Sequence, residues 1–103
     1  MSSMLHIINK SPFERNSLDS CLRLAKPGSS ILLIEDGVYA SMGKATHAEQ
    51  ISGRMEDFSF YVLGPDVAAR GLSDTPLIEG MEVVDYEGFV DLVAEHEVTQ
   101  SWL

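Results

Sequence analysis

Cysteine is nearly missing: one stands among the 103 residues, Cys21. A single thiol excludes an internal disulfide and any four-cysteine metal site. It suits a reducing compartment, so a cytoplasmic location is expected. Positive charge is scarce as well, with seven Lys and Arg against 16 Asp and Glu and a formal net charge of −9. That field repels phosphate backbones, so no direct nucleic-acid partner is expected; it favours solubility or a partner with a basic patch. No apolar run approaches the ~20 residues of a bilayer span. The start, Met1-Ser2-Ser3-Met4, lacks a basic region followed by an apolar stretch, so neither a signal peptide nor a membrane partner is expected.

Several chemical signatures are absent too. No Gly-x-Gly-x-x-Gly or phosphate-binding loop occurs, which removes the strongest markers of nucleotide binding. No Gly-x-Ser-x-Gly elbow supports a serine nucleophile. His6, His47 and His96 lie far apart in sequence, without zinc-ligand spacing. The expectation is therefore no metal and no organic cofactor.

What remains reads as one α/β domain over residues 1–103, long enough for a single modest core. Short apolar runs at Met4–Ile8, Ser30–Glu35 and Phe58–Leu63 predict buried strands. The second is continuously apolar, as a parallel strand covered on both faces would be. Met81–Asp85 predicts a weaker strand, and Val98–Leu103 a short edge strand. Between them, Ser11-Pro12-Phe13-Glu14 carries a capping box and an N-terminal proline, predicting a helix to Lys26 stopped by Pro27-Gly28. A second helical region falls between Val38 and Met55, a third over Pro65–Gly71 and a last over Tyr86–His96. In the last, Phe89, Leu92, Val93 and His96 share one side. The alternation predicts an open, mostly parallel sheet with helices on both faces.

Cys21 is the one soft nucleophile. It lies in the first predicted helix, about 40° from the centre of the Leu18–Leu22–Ala25 stripe at ~100° per residue. That position suits a packed thiol, and it is too far from the helix start for the helix dipole to lower the pKa much. A reactive role needs a partly exposed, electropositive setting, such as one completed by another subunit. Glu35-Asp36-Gly37 and Asn9-Lys10-Ser11 follow strands, where ligands of such sheets bind. Each also reads as ordinary turn or capping chemistry.

Beyond local physics, the chain resembles a known family along its whole length. The segments that carry the resemblance are Met4-Leu5-His6, Asn9-Lys10-Ser11-Pro12-Phe13, Leu32 to Ala40, Tyr61-Val62-Leu63-Gly64-Pro65-Asp66, Ala69-Arg70-Gly71, Val84-Asp85-Tyr86, Gly88-Phe89-Val90 and Trp102. Their order and spacing are similar to the DsrH/TusB family. Asn16 to Leu22, which contains Cys21, resembles the DsrH branch, because TusB-type chains generally lack that cysteine. The resemblance implies a small flavodoxin-like fold. It implies a subunit of a heterohexamer with DsrE/TusD-type and DsrF/TusC-type partners, two copies of each. Such a complex relays persulfide sulfur to a small DsrC/TusE-type carrier, in sulfur oxidation or, in the Tus branch, in 2-thiouridine formation at the tRNA wobble position. The main sulfur-receiving cysteine is expected on the DsrE/TusD-type subunit. Cys21 is then a second candidate acceptor or a docking thiol, or it packs in a non-catalytic assembly subunit. An isolated chain is expected to be marginally stable, with part of its apolar surface covered by partners.

Overall fold

A computed structural model describes residues 4–12, 16–43 and 48–102. Five strands form one sheet: β1 (Met4–Ile8), β2 (Ser30–Leu33), β3 (Ser59–Leu63), β4 (Glu82–Val84) and β5 (Val98–Trp102). Their order is β4-β3-β2-β1-β5, and every pairing is parallel. The helices are α1 (Ser17–Leu24), α2 (Ala48–Ser52), α3 (Gly64–Ala69) and α4 (Tyr86–Glu95), and a 3-10 segment runs over Glu35–Ser41.

The period-two alternation of the strands sorts the core into two layers. Ile8, Ile31, Leu33, Phe60 and Val62 join Leu18, Cys21 and Leu22 of α1, Ile51 of α2 and Val67 of α3. Leu5, Ile7 and Leu32 turn the other way and meet Leu92 and Phe89 of α4. β2 is buried at all four positions because it lies between both layers, which explains its unbroken apolar run. The sheet is thus an α/β arrangement with helices on both faces, as the alternation of elements predicts.

The element boundaries differ from expectation in specific ways. α1 begins at Ser17, not at Ser11-Pro12, which lie in loop and turn; Glu14 of the expected capping box falls outside the described residues. α1 also ends at Leu24 rather than Lys26, since Ala25 is already extended at φ −70°, ψ 144°. Pro27 disfavours helical backbone at Lys26, so the stop propagates backwards. Gly28 takes the left-handed turn at φ +94°. β2 ends at Leu33, and the chain folds at once into the 3-10 segment. The helical region expected within Val38–Met55 is therefore split, with residues 44–47 outside the described set. On α4, Leu92 is buried and Phe89 and His96 are half-buried, whereas Val93 stands exposed.

Candidate functional site

Cys21 sits in the third α1 position after Leu18, where successive turns of the helix stack against β1 and β2. Its side chain is 0% exposed and belongs to the larger core layer. Burial pushes the thiol up from 9.0 to about 12, because a thiolate there would lose its water. Arg23, the cation closest in sequence, is engaged with Asp19 at 3.5 Å on the solvent side. The backbone carbonyl of Cys21 accepts from the Ala25 N–H at 2.8 Å, closing the last helical turn. Desolvation is the influence that dominates here, and it works against an anion on sulfur.

The carboxyl ends of β2 and β3 form a different cluster. Glu35 follows Ile34 with left-handed backbone at φ +49°, and its N–H donates to the Asp66 carboxylate at 2.6 Å. That charge-assisted bond offsets part of the strain of a left-handed residue that is not glycine. The Arg70 guanidinium bonds Asp36 at 2.9 Å and reaches the Asp66 carbonyl at 3.4 Å. Asp36, Asp66 and Arg70 therefore lock the 3-10 segment onto α3. Asp66 and Arg70 were not evident as partners from sequence, because they stand 31 and 34 residues from the groups they bind. Asp36 meets the Arg70 charge and the Glu35 N–H meets the Asp66 carboxylate, so the cluster reads as a clamp; an open anion site would leave the guanidinium uncommitted.

Gly37 lies where the clamp crosses β1, directly over the Ile8 main chain. Asn9 beside it keeps a buried side-chain oxygen without a hydrogen-bond partner among the described residues. Lys10 and Ser11 continue the turn, and the structure does not gather them with Cys21 into one site.

His6 and His96 hold structure. His96 lies against the Leu92 carbonyl through Nδ1 at 2.6 Å and against the Ser30 hydroxyl through Nε2 at 2.8 Å. A carbonyl only accepts, so Nδ1 donates to it, and in the neutral ring Nε2 takes the hydroxyl hydrogen. This ties the end of α4 to β2. His6 is 3% exposed, and its Nδ1 accepts from the Trp102 indole N–H at 3.0 Å. Indole only donates, so the proton of neutral His6 is on Nε2, which finds no partner among the described residues. His47 lies outside the described residues. Among the described residues no three His, Cys, Asp or Glu side chains come together as a metal site. A cleft of about 430 Å³ opens between the end of α1 and β5, lined by His6, Leu24, Lys26 and Trp102 among others. Neither Asp36 nor Lys10 lines it.

Burial holds the His6 pKa below its ordinary 6.5. The unfolded chain then takes up a proton near pH 6.5 that the folded chain refuses. Stability is expected to be full above that pH and to fall as the pH drops below it. His6→Gln keeps an acceptor for Trp102 and cannot titrate. Urea unfolding between pH 7 and 5 should show a flatter acid limb for this variant than for wild type; parallel curves would refute the assignment.

The model of the DsrH-like protein family matches residues 10–99. The chain belongs to the DsrH/TusB family. Protein TusB of Pectobacterium parmentieri is 34% identical over 101 residues, spanning 96% of this chain and 100% of that protein. Protein TusB of Escherichia coli K12 is 31% identical over 99 residues, with 96% and 100% covered. Among solved structures, the ychN protein of E. coli superposes with a TM-score of 0.82 at 20% identity, covering 98% of this chain and 99% of that one. The MTH1491 protein of Methanobacterium thermoautotrophicum, of unknown function, gives 0.74 at 16% identity. At these identities the two structures speak for the fold alone. Within the DsrH/TusB chain itself, no helix among the described residues is long and apolar enough to cross a membrane.

Proposed function

We propose that this chain is an assembly subunit of a cytoplasmic sulfur-relay complex of the Dsr/Tus type, and that its cysteine packs the core while a partner's cysteine carries the sulfur. Membership of the DsrH/TusB family supports the relay. The observation that supports this role within it is the state of Cys21, 0% exposed with its thiol pushed up to about 12. Persulfide exchange needs a thiolate with room to attack the outer sulfur of the donor. At neutral pH such a thiol is ionised in about one molecule in 10⁵, and α1 would have to open before the sulfur met a donor. The partners in this reading are DsrE/TusD-type and DsrF/TusC-type subunits, two of each with two of this chain. Sulfur leaves on a DsrC/TusE-type carrier.

The reconstituted complex, loaded with a persulfide donor and read subunit by subunit by mass spectrometry, tests this. The added sulfur is expected on the DsrE/TusD-type subunit and not on Cys21. Cys21→Ala is expected to leave transfer to the carrier within about twofold, since it alters a core contact and no reacting atom. Sulfur found on Cys21, or transfer abolished in Cys21→Ala complexes that still assemble, would make Cys21 an acceptor.

Two pathways fit the relay. The segment Asn16 to Leu22, with its cysteine, favours the sulfur-oxidising branch. Identity to TusB proteins favours wobble-uridine thiolation. Deletion of the gene separates them: loss of sulfur oxidation with normal 2-thiouridine in tRNA supports the first, the converse pattern the second.

A further inference from the structure

The apolar arc of α4 is wider than the sheet can use. At ~100° per residue, Leu92, Phe89, Val93, Tyr86 and Val90 follow one another around the helix over about 160°. Only the Leu92–Phe89 side meets the core. Tyr86, Val90 and Val93 repeat at spacings of four and three and stand 60%, 66% and 40% exposed. A folded monomer gains nothing from three such side chains in one row in water; contiguous apolar surface of this kind marks interaction sites.

What surrounds the row limits what can cover it. No lysine or arginine follows Arg70, while eight of the 16 acids do. On α4 itself Glu87, Asp91 and Glu95 are all exposed and succeed Val90 around the helix. A second copy placed here would bring acid against acid, and like charges across an interface cost several kcal/mol. Nucleic acid is repelled for the same reason. The complementary surface is a protein with an apolar centre and a basic rim.

We propose that the Tyr86–Val90–Val93 face of α4 docks another subunit of the relay complex, one that presents an apolar patch bordered by lysine and arginine. The proposal rests on the relay reading above and names the surface used. The apolar row supplies the buried centre, and the acids on its flank set orientation and speed the encounter.

The test uses the chain co-expressed with its DsrE/TusD-type and DsrF/TusC-type subunits. Wild type is expected to co-elute with both. Val90→Glu/Val93→Glu is expected to lose one subunit, with affinity down at least about tenfold, while the isolated variant keeps the wild-type circular dichroism and Tm because both positions face water. Glu87→Lys/Asp91→Lys is expected to slow association and flatten its dependence on salt. Wild-type affinity in the Val90→Glu/Val93→Glu complex would overturn the surface and leave relay membership standing. Failure of the wild-type chain to associate with either subunit would defeat the relay reading and this proposal with it. An isolated wild-type homodimer broken by the same pair would identify a second copy as the occupant. Loss of carrier binding with both subunits retained would identify the carrier. Either result overturns the proposal.

Discussion

Gly37→Ala is expected to destabilise the domain by at least about 3 kcal/mol, lowering Tm by roughly 12 °C or more for a chain of this size. A Cβ at position 37 would fall on the carbonyl oxygen of Ile8, with the Ile8 carbonyl carbon 3.0 Å and the Asn9 Cα 3.5 Å away. All three neighbours are main chain, which no rotamer change can move. Ile8 is also held on both sides, since it pairs with Leu33 of β2 and Trp102 of β5, and its carbonyl accepts from the Ile34 N–H at 3.0 Å. The 3-10 segment is fixed in turn by the Gly37 N–H to Ile34 carbonyl bond at 2.8 Å and by the Asp36–Arg70 pair. Relief requires shifting either a central strand or the clamp at the carboxyl ends of β2 and β3. Gly28→Ala is the contrast: φ is +94° there but nothing lies within 4 Å, so the expected cost is only the roughly 1–2 kcal/mol of a left-handed residue with a side chain. Thermal and urea unfolding of the two variants decide the matter, and equal small losses would refute the steric argument.

That glycine also shows where reading from sequence stops. Asp36-Gly37 has the composition of a tight turn, and a turn was the expectation. The actual requirement on Gly37 is set by the Ile8 main chain, 29 positions upstream, so no local pattern could express it. The Arg70 partner of Asp36, the Asp66 partner of the Glu35 N–H and the Trp102 partner of His6 are hidden for the same reason. The strands were legible because burial imposes a periodicity on consecutive residues. The Met4–Ile8 run coincides with β1 among the described residues, and the unbroken apolar run through β2 marks a strand covered on both faces. Helix ends were less legible. Ser11-Pro12 has the chemistry of a helix start, yet those two residues lie in loop and turn and α1 begins at Ser17. Val93 fits the buried stripe of α4 by spacing but faces water, because Leu92 and Phe89 already meet the sheet residues within reach. The inward turn of Cys21, by contrast, follows from helical geometry alone, since it shares the side of Leu18 and Leu22.

Cys21 is expected to react far more slowly than an exposed thiol. Raising its pKa from 9.0 to about 12 lowers the thiolate population about 10³-fold at any pH below 9. Complete burial then requires local or global opening of the domain before a reagent can reach the sulfur. Labelling by a disulfide or maleimide reagent at pH 8 is therefore expected to run at least about 10³-fold slower in the folded chain than in urea. The same group makes stability depend on alkaline pH. Unfolded Cys21 releases its proton near 9.0 and folded Cys21 near 12, so stability is unaffected below pH 9 and is lost as the pH rises between those values. The slope in that window is about 1.4 kcal/mol per pH unit, and Cys21→Ala should remove this slope while costing about 1 kcal/mol at neutral pH for the lost packing. The two measurements separate the roles open to the thiol. Slow labelling in the free chain and in the assembled complex alike, with the steep alkaline limb, is what a packing residue gives. Labelling that becomes fast only in the complex would mean that a partner opens α1 and exposes the sulfur, and the packing role would then fail where it matters, in the complex that relays sulfur.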